Sequence, residues 1–424
     1  MKKKLLIKLK PSNFIVYGLV VYFIIYLLGP YNYTIYSIEG VFYYFVSFLL
    51  LFLGAFIVQK MSTEKQRSVK KEYEVIISKK SEILLQIISV VSIISFIIYF
   101  QEIIRLPTNN YNFASEDLRL ELSASRSTLN KIAEMTMLTG PVSYLISSNV
   151  RKLNYKITTP LTLIAFFIPS FGFLSVGARG VAIISLFIFL INHLVLKMRL
   201  VTNSKFKKVL KRLMPLVAVF IVVYFIGNLF IGRPGLLKAE DLFLIYPGDT
   251  KLKVFYGFLN DNLLHQLDPL YKAFMYYTHS FPVFTYFYTE APQSGIFYGA
   301  LQFSFIFFVL NAVGLSSVDP NSVVLYNPTA GLYSTFISYF IIDYGKWLAL
   351  FIIFFSGIVF GLIYNSARSG KIGYFIYPII LTMCFISPIY YFWTVGRMDV
   401  MLFWYFLFYP ILKLLGLKVE VNKR

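Results

Sequence analysis

Apolar residues in this chain fall into long uninterrupted blocks. Clear blocks cover about 13–29, 39–58, 82–100, 130–148, 159–176, 180–196, 213–231, 346–364, 373–390 and 399–416. At a rise of about 1.5 Å per residue, a helix of roughly 20 residues crosses about 30 Å of hydrocarbon. Within each block the residues are continuously apolar rather than alternating, which excludes an outer-membrane β-barrel. The pattern predicts an all-α, polytopic integral membrane protein with 10–12 transmembrane helices, organised as a single membrane domain over 1–424.

The interval 232–345 breaks the rhythm. It is apolar but interrupted, as expected of an extracytoplasmic, lid-like segment built from short helices. One run at about 296–314 has the length of a span, and a second at about 328–343 is barely long enough. As a hairpin they bring the total to 12 spans; as interfacial or re-entrant pieces they leave it at 10. Asp268-Pro269 and Asn327-Pro328 each read as a helix start, a capping side chain followed by proline at the first helical position. Apolar residues at helical spacing then predict a helix over about 269–281.

Charge supplies the orientation. Of 40 Lys and Arg residues, 28 lie in six clusters between alternate blocks: 2–10, 60–80, 151–156, 197–212, 368–371 and 413–424. With Glu64, Glu72, Glu74, Glu82 and Glu420 alongside, that side carries a net +23 and the other −3. Basic residues are retained on the cytoplasmic side, so both termini are expected there and the 232–345 interval outside. The formal charge of +20 therefore implies contact with anionic membrane lipids and no nucleic-acid partner. The first block follows Met1-Lys2-Lys3-Lys4 without a small-residue cleavage site and reads as a retained span.

Composition agrees. The chain is 58% apolar, 19% aromatic and only 14% charged, more apolar surface than a water-soluble domain requires. The single cysteine, Cys384, excludes an intramolecular disulfide and a cysteine metal site. No P-loop, Rossmann glycine turn or clustered His/Asp/Glu set is present, so neither a cofactor nor a metal is expected.

Candidate chemistry concentrates on the outer side. Gly177-Ala178-Arg179-Gly180 is a tight turn between two blocks, and Arg179 starts the second of them. Unpaired N–H groups and the helix dipole favour an anion there, and the glycines allow close approach. Arg233, in Gly232-Arg233-Pro234-Gly235, ends another block at the same depth, and Arg397 follows Gly396. Either these arginines bind a diphosphate or they snorkel to the interface, with Asp399 close enough in sequence to pair with Arg397. His279 is the candidate general base; the alternative is a helix-end histidine making a surface hydrogen bond. Asp249, Asp261, Asp268, Glu290, Asp319 and Asp343 are candidate carboxylates, and no spacing singles out a pair. Glu134 stands out as a charge inside an apolar block. Asn327 reads first as a cap. Aromatics such as Tyr276, Tyr277, Tyr286, Tyr288 and Tyr298 suit either sugar stacking or an interfacial belt.

Phe173-Leu174-Ser175-Val176-Gly177-Ala178-Arg179-Gly180 before an apolar helix resembles the Wzy-type O-antigen and capsular repeat-unit polymerases. So does Asn327-Pro328-Thr329 leading through Tyr339 to Asp343-Tyr344-Gly345 and a span containing Gly357 and Gly361. Tyr344 departs from the Phe expected after the Asp. The resemblance implies a metal-independent glycosyltransferase of the bacterial cytoplasmic membrane. Its donor is an undecaprenyl-diphosphate-linked oligosaccharide and its acceptor another lipid-linked repeat, joined into O-antigen or capsular polysaccharide on the outer face. The family's arginines map onto Arg179 and Arg233. A chain-length regulator and a flippase are the implied protein partners. A lipid-linked oligosaccharide flippase or other transporter, and an O-antigen ligase, are the competing readings.

Overall fold

The computed structural model describes residues 9–29, 31–65, 72–105, 127–150, 153, 157–175, 179–197, 251–252, 277–292, 295, 297–312, 314–318, 335–369, 373–389 and 397–422. These are mostly helical. The helices are α1 (Pro11–Leu28), α2 (Ile38–Lys65), α3 (Lys79–Arg105), α4 (Thr128–Thr136), α5 (Thr139–Ser147), α6 (Thr158–Ser175), α7 (Arg179–Lys197), α8 (Ser280–Glu290), α9 (Ser304–Ala312), α10 (Phe336–Arg368), α11 (Gly373–Ile386) and α12 (Met398–Leu414). Four short strands accompany them: β1 (Tyr31–Asn32), β2 (Glu72–Ile76), β3 (Lys251–Leu252) and β4 (Lys418–Asn422). The expected 213–231 span and the 269–276 part of the expected helix lie outside the described residues.

Four helices, at Pro11–Leu28, Ile38–Met61, Lys79–Arg105 and Phe336–Arg368, are long and apolar enough to cross a membrane. Shorter apolar helices lie at Thr158–Leu174, Gly180–His193 and Gly373–Ile386. The burial pattern of α3 shows why the solvent must be lipid. Its buried face carries Ser81, Ser89, Ser92 and Ser95, while Ile83, Ile87, Val90, Val91, Ile94 and Ile97 are exposed. Water would penalise so large an aliphatic face, since soluble monomers tolerate contiguous apolar patches of only roughly a few hundred Å². In lipid the aliphatic residues are solvated, and the hydroxyls turn inward to find partners. These apolar helices mark a multi-pass membrane protein.

The chain divides into two compact units. The first comprises Met1–Phe56, Leu200–Val359 and Met383–Phe392. In it α1 begins with Pro11, whose missing N–H costs nothing in a first turn. Close helix crossings rest on glycine: a Cβ on Gly54 would stand 2.2 Å from the Phe354 carbonyl oxygen, and one on Gly357 2.2 Å from that of Leu51. Tyr44, Phe48, Phe281 and Phe284 fill the space alongside with mutual ring contacts. β1 and β3 pair antiparallel, Tyr31 opposite Leu252. The 296–314 run does not form a spanning helix. It is a turn over 297–303 followed by the nine-residue α9, about 14 Å long. Residues 336–343 of the second run instead join the following span, with a break at Gly345 (φ 75°, ψ 167°).

The second unit comprises Ile57–Arg199, Phe360–Thr382 and Trp393–Arg424. The 130–148 block, expected as one span, is two nine-residue helices, α4 and α5. Pro141 explains the division: it has no N–H to offer the Met137 carbonyl. That carbonyl accepts from Ser92 Oγ at 2.6 Å instead. Pro169 likewise frees the Ala165 carbonyl inside α6. Gly140 packs against it so closely that a Cβ there would lie 2.0 Å from the Ala165 oxygen. A further departure from an all-α fold is the antiparallel β2–β4 pair, Glu72 opposite Asn422 through Ile76 opposite Lys418. Both segments alternate polar and apolar residues, and Val75 is buried. Ser78 and Ser81 donate to the Leu415 and Leu412 carbonyls at the end of α12, satisfying acceptors that a helix terminus leaves open. β2, β4 and the start of α3 thus share one end of this unit, about 25 Å along α12 from its first residue.

Candidate functional site

The start of α12 holds the charged centre of the second unit. Arg397 precedes the helix in a left-handed conformation (φ 55°, ψ 37°) with no side-chain cap. Its guanidinium Nη2 donates to Glu134 Oε1 at 2.9 Å. The carboxylate side chain is only 6% exposed, the arginine side chain 34%. The Glu134 carboxylate raises the Arg397 pKa, outweighing the opposing effect of burial, and Asp399 and Tyr99 add to it. A charge inside an apolar block needs such a partner. The partner is not the one expected from sequence: Arg397 bonds to Glu134, 263 positions away, and Asp399 acts only as a nearby negative charge. The left-handed backbone at Arg397, outside the helix that holds Asp399, sets the two side chains on different paths.

Several contacts fix Glu134 in place. Trp404 of α12 donates its Nε1–H to the Met135 carbonyl at 2.9 Å. Thr136 shares a hydrogen bond of 2.6 Å with Ser95 of α3. Ser127 caps α4, accepting from the Asn130 N–H at 3.1 Å. Glu102 holds that cap through the Ser127 N–H and hydroxyl, both at 2.8 Å. Asn130 lies one turn before Glu134 on the same face of α4. It is fully buried, and neither atom of its amide has a hydrogen-bond partner.

The same end of the unit receives the start of α7. Tyr99, which acts electrostatically on Arg397, packs its ring against Phe173 near the end of α6. Gly172 beside it touches Met137, next to α4. Helix α6 stops at Ser175, and Arg179 and Gly180 open α7. The expected placement of Arg179 in a helix's first turn therefore holds for the backbone, and Gly180 follows it inside α7. The start of α7 and Arg397 share the end opposite β2 and β4. Gly177, Arg233 and Asn327 lie outside the described residues.

His279 belongs to the first unit and differs from its sequence reading. It is 1% exposed, so the surface hydrogen bond of a helix-end histidine does not apply. It stands at a junction, with Tyr277–Thr278 helical before it and α8 starting at Ser280, and its carbonyl accepts from Val283 N–H at 2.9 Å. Flanking residues hold the Tyr22 hydroxyl: it donates to the Thr278 carbonyl at 2.9 Å and accepts from Phe281 N–H at 3.0 Å. Ser280 Oγ donates to the Pro388 carbonyl at 3.1 Å.

Of the described carboxylates among the outer candidates, Glu290 is exposed and Asp343 is fully buried. Asp343 Oδ2 accepts the Leu301 and Gln302 N–H groups at 3.1 and 3.3 Å. Its own carbonyl accepts from Tyr298 N–H at 3.0 Å. This clamps the 297–303 turn, in which Tyr298 has a positive φ of 48° and is 78% exposed.

Asn130, Tyr99 and Glu102 carried no signal in the sequence beyond being polar. Among the described residues no group of three His, Cys, Asp or Glu side chains is arranged to hold a metal. No family model, curated protein or solved structure matches the chain.

Proposed function

We propose that this protein is a polymerase of lipid-linked oligosaccharide repeat units, working on the outer face of a bacterial cytoplasmic membrane with both termini inside. The observation that carries the reading is the charged centre at one end of the second unit. A partly exposed guanidinium sits on a buried carboxylate, near Tyr99, whose ring packs on Phe173 close to the end of α6. A glycosyl transfer from a lipid diphosphate needs a cation for the departing diphosphate and a base for the attacking hydroxyl, held together at the membrane surface. Arg397 and Arg179 supply the first requirement. The positive-inside charge pattern supports the outer placement of this end, because β2 and β4 lie beside basic clusters.

The test is Arg179→Ala in cells, read as glycan chain length on a gel with the protein quantified by immunoblot. The expected result is collapse of the polymer ladder to single repeats at unchanged protein level. A persistent ladder at equal protein contradicts the site. Loss only of attachment of a still-polymerised glycan indicates the ligase instead.

A further inference from the structure

We propose that Glu134 is the proton acceptor of the transfer, that Asn130 holds the acceptor sugar beside it, and that Arg397 releases Glu134 when the donor diphosphate binds. This rests on the polymerase reading and adds the residue that the reading leaves open.

The two halves of the pair are unequally exposed. Glu134 is almost fully buried, yet its partner Arg397 is one-third exposed. The guanidinium has five N–H donors in a planar fork, so it can bond a ligand on its exposed side while still bonded to Glu134. Beside the carboxylate, Asn130 buries two donor hydrogens and an acceptor oxygen with no protein partner. A buried amide left unpaired is costly, and such groups in native proteins call for a ligand or an ordered water. Residues 130 and 134 are one turn apart, so amide and carboxylate line the same strip of α4. An amide beside a carboxylate matches the hydroxyl pairs of a sugar: one hydroxyl bonds to both atoms of the amide, and its neighbour donates to the carboxylate. A diphosphate in that place would meet Glu134 and Asp399, both negative. The anion therefore belongs on the arginine side and the acceptor sugar on the Asn130 side.

The step balances. The acceptor oxygen forms its bond to the anomeric carbon of the donor as the bond from that carbon to the diphosphate oxygen breaks. The bonding pair leaves with the diphosphate, whose added charge Arg397 meets. The hydroxyl proton passes to Glu134. While Arg397 remains on Glu134 it occupies Oε1, so its transfer to the diphosphate opens that oxygen to the hydroxyl proton when donor is present.

The test uses the full-length protein in lipid vesicles, supplied with lipid-diphosphate-linked repeats extracted from cells lacking the protein. Wild type is run in parallel, and its failure to polymerise would sink the underlying reading rather than this inference. Glu134→Gln keeps an oxygen for Arg397 and removes the basicity. The expected result is normal protein yield with polymerisation slowed about a hundredfold or more. Glu134→Ala is expected to be equally slow and to recover at least tenfold with added sodium formate, which supplies a mobile carboxylate. Near-wild-type rates for Glu134→Gln overturn the proposal. So does Glu134→Ala that formate fails to revive, because the residue then acts through structure alone. Failure of Glu134→Gln to accumulate overturns it too, since a pair built to separate on donor binding cannot be a folding requirement.

Discussion

Among the described residues each unit buries one carboxylate, and the two are neutralised in opposite ways. Asp343 in the first unit is held by backbone N–H groups of a turn, donors that cannot move without unfolding it. Glu134 in the second is paired with a long side chain that remains partly in contact with the outside. A backbone cradle makes a carboxylate part of the architecture. A side-chain partner makes it available, because a guanidinium can be drawn elsewhere by a stronger anion. The difference suggests where each unit spends its buried charge: Asp343 positions the 297–303 turn and the exposed Tyr298, and Glu134 takes part in chemistry.

Six substitutions challenge that contrast, in four steps of decreasing effect. The largest involves no charge. Gly54→Leu and Gly140→Leu each drive a side chain into a backbone carbonyl, and both are expected to abolish accumulation of folded protein, read by detergent-extracted monomer on size exclusion. If either variant folds normally, the glycine-mediated crossings on which both units are built are wrong. Next is Asp343→Ala, which leaves two buried N–H groups unpaired and is expected to cost about 2–5 kcal/mol. Its thermal midpoint should drop sharply and its activity should fall only in step with folded protein. Asp343→Asn, which keeps an acceptor oxygen, should retain most activity, whereas the same change of acid to amide at Glu134 should not. Equal behaviour of the two amides would erase the distinction between them.

Arg397→Ala comes third for stability. Fully buried pairs lose about 3–5 kcal/mol when one partner is removed, and the partial exposure of this arginine reduces that to about 2–4 kcal/mol. Its activity should nevertheless vanish well beyond the loss of protein, unlike Asp343→Ala. Ser92→Ala is the smallest. It removes the shorter of two hydrogen bonds to the Met137 carbonyl, the other coming from Gly140 N–H at 3.3 Å, and should cost about 0.5–1.5 kcal/mol, with polymer length unchanged. A shortened ladder there would tie the α4–α5 break to catalysis rather than to packing.

The apolar helices were legible because lipid rewards contiguous apolarity: α1, α2, α3, α6, α7, α10, α11 and α12 all fall on apolar blocks, and among the described residues α1, α2, α3 and α10 are long enough to cross. What failed to show was the interruption within a block. In 130–148 the signal was Gly140-Pro141, visible as residues, but its consequence depends on Ser92 being there to take the freed carbonyl. In 296–314 the apolar run was long enough to span, yet its first part is committed to the turn that Asp343 clamps. Side-chain partners at long range were less legible still. Arg397 had a nearer candidate in Asp399, and only the need of a membrane-buried Glu134 for a cation pointed across the chain. His279 was visible as one of three histidines, but its burial depends on Tyr22 and α8 packing around it. The β2–β4 pair shows in the alternation of its two segments once they are seen side by side.

The central claim is most directly tested by giving purified protein in vesicles nothing but lipid-diphosphate-linked repeats and following product length with time. The account predicts a ladder that lengthens for wild type and stays at one repeat for Arg397→Ala. Repeats that remain single with folded wild-type protein, or that merely cross the bilayer, contradict it.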